Sequence, residues 1–236
     1  MIIIFGYSKL ASKLAKTLSK ENKEFCIIEP NNEYIKFANN DKYTKNIHNF
    51  ECYDDEELIS LGIKKTVNTL FCMHNDFNKN LFVTLSARNL NKDLQIISHC
   101  NDLNESKKLK LAGASTTINP YETAGLKIFR QLHKPMAVKI LDNILYKNTP
   151  LDIQEIKITS QSILNKKMFN DIKLFTKHNI IFLGIQDNEI SNKFIFSSRG
   201  INHKIDEDDI IVVLGYKDDI KSFKKEAYLI KEYLKP

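Results

Sequence analysis

The sequence predicts an α/β protein: a Rossmann-like, doubly wound parallel sheet, joined by crossover helices to a smaller α+β C-terminal subdomain. Three observations carry that prediction. Short apolar runs alternate with amphipathic helical patterns through the first 120 residues. The first run ends in a glycine that leads straight into a helix. From residue 151 onward the apolar period shortens to that of a strand. The composition agrees, since 42% hydrophobic and 27% charged residues with only 7 Gly and 5 Pro describe a globular chain rather than a disordered or collagen-like one. A length of 236 residues suits one large or two small domains, each able to bury a core.

Taken in order, residues 1–5, 25–28, 68–73, 94–100 and 116–118 read as strands, because bounded runs apolar on both faces belong to parallel sheets. Between them, residues 10–18, 33–38, 55–61, 78–90 and 103–111 have helical spacing. The punctuation fits: Asp54 is placed to cap a helix with Glu57 reaching back, Gly62 closes that helix, and Gly113 follows the last Leu-rich one. Asn119-Pro120-Tyr121-Glu122 starts a further helix, with Asn119 as N-cap and Pro120 as its first residue, running to about residue 134. Pro135 interrupts it, and residues 136–146 form a second, crossing helix. After a linker at 148–150, strands are expected from the alternation of Leu151, Ile153, Ile156 and Ile158 and at 180–185, 194–196 and 210–214. A helix at 168–177 lies between the first two, and a last helix at 218–234 aligns Ile220, Phe223, Ala227, Ile230 and Leu234. The divisions are 1–120, a Rossmann-like domain; 121–149, the crossover helices; and 150–236, the small subdomain with its terminal helix.

Several function classes drop out. The net charge of +6 is spread as +2 over residues 1–120 and +4 over the rest, and Arg88, Arg130 and Arg199 are the only arginines, so no basic face marks a nucleic-acid partner. No apolar run approaches the ~20 residues of a membrane span and no charged segment precedes residues 1–5 as in a secretory signal, so a soluble, intracellular chain is expected. Cys26, Cys52, Cys72 and Cys100 form no C-x-x-C pair and read as buried thiols. His48, Cys52, His74, His99 and Cys100 fall near the carboxyl ends of strands, but no helical spacing pairs any two, so a metal site is not expected. His133, His178 and His203 read as surface or elbow residues.

The chemistry points to the first turn. Gly6-Tyr7-Ser8-Lys9-Leu10-Ala11 matches G-x-G-x-x-G/A after a first strand, with Ser8 at the second glycine. Gly6 permits the tight turn, Ala11 permits close helix packing, and Ser8 offers a hydroxyl to a phosphate beside the free N–H groups of a helix start. Glu29 ends the second strand 23 residues after Gly6, where an acid hydrogen-bonds a ribose diol and repels a 2′-phosphate. NAD(H) or ATP/ADP is therefore expected in preference to NADP.

These residues resemble the RCK domains (KTN, or Trk-type nucleotide-binding domains) that regulate potassium channels and transporters. The most specific likeness is residues 109–125, LKLAGASTTINPYETAG, which is similar to that family's G-A-x-x-V-I-x-P-x-x-x-x-G segment. Residues 76–80 resemble the stretch after the fourth strand, and residues 151–216, ending in DIIVVLG, resemble the RCK C-terminal subdomain. The resemblance implies a cytoplasmic gating subunit or domain, peripheral to the membrane through a potassium channel or transporter partner. It also implies a homodimer formed through the crossover helices and assembled into an octameric ring, with Leu126, Ile128, Phe129, Leu132, Ile140, Leu141 and Ile144 as the apolar faces. The nucleotide contacts it implies are Gly6, Tyr7, Ser8, Lys9, Glu29, Glu51, His74, Asn75 and His99. There are departures: Phe50-Glu51 stands where Gly-Asp is usual, and His99 and Asn101 stand where calcium-gated members place two acids, so that calcium site is not carried over. An arginine for phosphate contact is missing there too, and His99 is its substitute.

Two other readings compete. An NAD-dependent oxidoreductase needs a proton relay, and among the C-terminal residues only His178 and His203 are candidates for one, with no supporting motif, so no enzyme is expected. A metal-sensing RCK domain with a decayed nucleotide site is the other.

Overall fold

The computed structural model describes residues 1–50, 55–146, 149–187, 193–197 and 203–228. The chain divides into two compact units, Met1–Phe129 and Arg130–Pro236. In the first, β1 (Ile2–Phe5), α1 (Lys9–Lys20), β2 (Phe25–Ile28), α2 (Asn32–Asp41), β3 (Ile47–His48), α3 (Asp55–Ser60), β4 (Thr69–Cys72), α4 (Phe77–Leu90), β5 (Gln95–His99), α5 (Leu103–Leu111) and β6 (Thr116–Ile118) alternate; α6 (Pro120–His133) begins in this unit and ends in the second. The six strands form one sheet in the order β3-β2-β1-β4-β5-β6, and every pairing is parallel. The order reverses between β1 and β4, and open α/β sheets bind ligands at the crevice there, beyond the carboxyl ends of the strands.

The side chains of β1 show why both faces are covered. Ile3 and Phe5 enter one apolar layer with Ile28, Leu58, Leu70, Val83 and Ile96, whereas Ile4 enters the other with Ala11, Ala15, Ile27 and Met73. Each such isoleucine, removed entirely from water, contributes about 1.5–3 kcal/mol before entropy is counted. Ala11 and Ala15 are the fully buried residues of α1, and Leu10, Leu14 and Leu18 pack, partly buried, against the same layer.

The expected strands and helices of this unit are present, and the structure adds β3, which the apolar runs missed. It is only two residues long and half-buried, and the flanking Asn46 and Asn49 erase any apolar run. Gly62 and Gly113 follow α3 and α5 with positive φ, and Asn119 caps α6 by accepting the amides of Tyr121 and Glu122. Asp54 lies outside the described residues.

Arg88, near the end of α4, supplies a second fastening. Its guanidinium donates to the carbonyls of Gly113 at 2.9 Å, Leu94 at 2.7 Å and Asn91 at 3.3 Å, to that of Lys92, and to the Ser115 hydroxyl at 3.1 Å. One cation thus satisfies the loops entering β5 and β6.

The second unit contains α7 (Pro135–Tyr146), β7 (Leu151–Lys157), β8 (Lys167–Met168), α8 (Leu174–Lys177), β9 (Ile181–Gln186), β10 (Phe194–Phe196), β11 (Lys204–Ile205), β12 (Ile210–Tyr216) and α9 (Lys217–Ala227). An antiparallel sheet runs β10-β9-β12-β7, and β8 pairs with β11 separately. Ile220, Phe223 and Ala227 of α9 are buried as expected; Ile230 and Leu234 lie outside the described residues.

The helix expected at 168–177 is a correction. Residues there form β8, a single 3₁₀ turn and the four-residue α8. The amides of Lys166 and Phe169 donate to the carbonyls of Ile205 and His203, so backbone groups a helix would use internally are spent on β11. Phe169, Phe175, Phe182 and Phe223 then cluster with ring centroids 4.3–5.6 Å apart, which helical spacing did not anticipate.

Replacing Arg88 by Lys removes the fork while keeping the charge. The expected cost is about 2 kcal/mol, because a lysine ammonium cannot reach several carbonyls and leaves some unpaired. Urea unfolding followed by circular dichroism measures it, and an unchanged midpoint contradicts the role.

Candidate functional site

At the end of β1 the chain turns out of the sheet at Gly6, whose φ is +83°. A Cβ there would also fall inside the backbone of His74, which follows β4, so glycine is required on two independent grounds. Phe5 and His74 meet face to face, with ring centroids 5.7 Å apart and planes inclined by 21°. The switch point is therefore narrow by construction.

Beyond Gly6, Ser8 caps α1 in an extended conformation, its Oγ accepting the Ala11 amide at 3.3 Å. Among the described residues no acceptor meets the amides of Ser8, Lys9 and Leu10, so the positive end of α1 keeps unspent donors there. The Ser8 hydroxyl proton is not consumed by the cap, since it accepts there. Lys9 is exposed at the mouth.

Glu29 stands beside this turn, but its carboxylate is 1% exposed. One oxygen accepts the Tyr7 amide at 2.6 Å and the other the Asn31 amide at 2.8 Å. The expected ribose acid thus also holds the glycine turn to the start of α2, and its remaining lone pairs are what a diol would share. Tyr7 points inward: its hydroxyl donates to Asp41 at 2.7 Å, and burial, reinforced by that carboxylate, drives its ionisation far above the ordinary range. Its amide belongs to the site and its ring to the core between α1 and α2.

His74 is half-buried and Asn75 exposed. Asn80, a fully buried polar residue of α4, accepts the His74 amide at 3.0 Å and donates to its carbonyl at 2.8 Å. The ring Nδ1 accepts the Asp76 amide at 2.9 Å while Asp76 caps α4. Burial is the main cause that lowers the His74 pKa, opposed by the nearby Glu29 carboxylate. Sequence reading missed Asn80, Asp76 and Phe5 as supports of the site; the available signal was an asparagine on the helix face that also carries Val83, Thr84 and Ala87.

His99 ends β5 two strands from β1, half-buried, and Asn101 commits its amide groups to Glu105 at 2.7 and 3.1 Å. A separate cleft of about 230 Å3 opens nearby, lined by Cys100, Asp102, Ser106, Thr117, Asn119 and Glu122. Glu51 and Cys52 lie outside the described residues. Cys26, Cys72 and Cys100 are buried, and burial pushes the Cys26 and Cys72 thiols up to about 11. Among the described residues no three His, Cys, Asp or Glu side chains come together as metal ligands. The structure thus brings Gly6, Tyr7, Ser8, Lys9, Glu29 and His74 around one turn, with Asn75 beside them and His99 further along the edge.

Residues 2–120 match the TrkA-N domain family, and residues 153–227 match the TrkA-C domain family. The chain belongs to the TrkA-N/TrkA-C (RCK) family. Among its relatives is potassium channel protein 1 of Methanocaldococcus jannaschii, 23% identical over 94% of this chain and 65% of that protein. A probable potassium channel protein 2 of the same organism is 26% identical over 78% of this chain and 55% of its own length, so the chain spans between half and two thirds of these channel proteins. The Ktr system potassium uptake protein A of Bacillus subtilis is 23% identical over 95% of both chains. The fold is also that of the TrkA-N domain of the inner membrane protein ybaL of Escherichia coli, with a TM-score of 0.50 at 15% identity over 56% of this chain. The relatives are thus named as potassium channel and potassium uptake proteins. No helix among the described residues of this TrkA-N/TrkA-C chain is long and apolar enough to cross a membrane.

Because Glu29 accepts the amides of Tyr7 in the glycine turn and of Asn31 at the start of α2, Glu29→Gln should lower stability by about 1–3 kcal/mol, since one amide then faces an NH2 group instead of an oxygen. Thermal unfolding of the purified variant checks this, and an unchanged transition contradicts the fastening role.

Proposed function

We propose that this chain is the nucleotide-binding regulatory module of a potassium channel or transporter, acting on the cytoplasmic side through a membrane partner. The observation that carries the reading is the set of open amides at Ser8, Lys9 and Leu10 beside the Glu29 carboxylate at the switch point. Open helix-start amides suit a phosphate, and a carboxylate at the end of β2 suits a ribose diol while repelling a 2′-phosphate, which favours NAD(H) or ATP/ADP. The potassium channel and uptake relatives support the regulatory half. Ligand acts by differential affinity, shifting the assembly only by the difference in its binding free energy between conformations.

The chain is proposed to pair with a second copy through α6 and α7 and to build a ring of such dimers. Leu126, Ile128, Phe129 and Leu132 of α6 and Met136, Ile140, Leu141 and Leu145 of α7 are 48–77% exposed, and large apolar side chains left in water along a helix suit a protein interface. Ile144 departs from the expected face: at 8% exposure it turns inward, so that residue serves the subunit's own core.

Calorimetric titration with NAD, NADH, ATP and ADP tests the binding, with at least one expected to bind and NADH to be left unoxidised in the absorbance at its reduced-ring band. Failure of all four to bind, or oxidation of NADH by the purified chain, contradicts the regulatory reading. Light scattering on Leu132→Glu should show a smaller particle than the wild type; an unchanged mass contradicts the α6 interface.

A further inference from the structure

The ring of His74 is held by four constraints. Asn80 clamps the residue's amide and carbonyl, Phe5 stacks on the ring, and the Asp76 amide donates to Nδ1. A nitrogen that accepts an N–H carries no proton of its own, so in the neutral ring the proton resides on Nε2. That Nε2–H has no acceptor among the described residues, although the ring is half-buried at the crevice. The charged groups acting on it are Glu29 from the end of β2 and Asp76 and Lys79 from the start of α4, while Phe5, Gly6 and Asn80 contribute no charge. Protonating the ring would add a hydrogen to Nδ1 and expel the Asp76 amide.

We infer that His74 is a specificity-determining donor of this site, offering a neutral, pre-oriented Nε2–H to an oxygen of the phosphate or ribose of a ligand seated over Gly6. The inference rests on the nucleotide reading above and adds a role that the Gly6 turn does not supply. A donor fixed before the ligand arrives costs no rotamer entropy on binding, unlike a lysine at the same mouth. It also carries no charge, so this donor discriminates by geometry rather than by attraction to any anion.

Two substitutions separate this role from structural support. His74→Asn keeps an oxygen near the Nδ1 position for the Asp76 amide but removes the outward donor. His74→Gln places an amide N–H near the Nε2 position but gives up the inward acceptor. Calorimetry with NAD and with ADP-ribose at pH 7.5, alongside thermal unfolding, reads both. The expected pattern is a loss of affinity of about tenfold in the Asn variant, the value of one good hydrogen bond, with unfolding close to wild type. The Gln variant should bind within about twofold of wild type, as a retained donor requires, yet unfold at lower temperature. The reverse pattern, with affinity following stability so that Gln is the weaker binder, overturns the inference while leaving the nucleotide reading intact. Absence of binding to both ligands and to ADP in the wild-type protein overturns the nucleotide reading and this inference with it.

Discussion

The contact between Gly6 and the backbone of His74 is the constraint on which the rest of the site depends. Because no side chain intervenes, β1 and β4 remain neighbours to their last residues and the chain turns out of the sheet with φ positive. That turn brings the Tyr7 amide onto Glu29, caps α1 with Ser8, and leaves the next amides without an acceptor among the described residues. A larger residue at position 6 would have to displace backbone, not a flexible side chain, so the geometry has no inexpensive substitute.

Glu29 illustrates how one group serves fold and site together. A carboxylate removed from water is costly unless charge-assisted hydrogen bonds replace its hydration, and here two backbone amides do so. The same two bonds tie the glycine turn to the start of α2, and Tyr7 extends the tie to the end of α2 through Asp41. The glycine turn is therefore joined by hydrogen bonds to both ends of α2.

Much of this was legible in the sequence, and the gaps have physical reasons. Gly6, Ser8 and Glu29 carry their meaning locally, because a turn, a cap and a strand end each depend on a few neighbours. The parallel sheet was readable from runs such as 1–5 that are apolar on both faces, whereas β3 was not, because two half-buried residues among asparagines leave no period. The failure at 168–177 has a different source: hydrogen bonds to residues 203–205, far along the chain, outweigh local helical spacing. Asn80 escaped notice for a similar reason, since its partner is a backbone made accessible only by the turn after β4. Ile144 shows that an apolar stripe does not reveal which of its members face outward.

The central claim is that the open amides of the first α1 turn hold a ligand's phosphate. Amide proton–nitrogen spectra of the uniformly 15N-labelled protein, recorded while NAD or ADP is added, address it directly. The account predicts that the resonances of Ser8, Lys9 and Leu10 move furthest and become slower to exchange with water. Saturable binding that leaves those three resonances in place would contradict it.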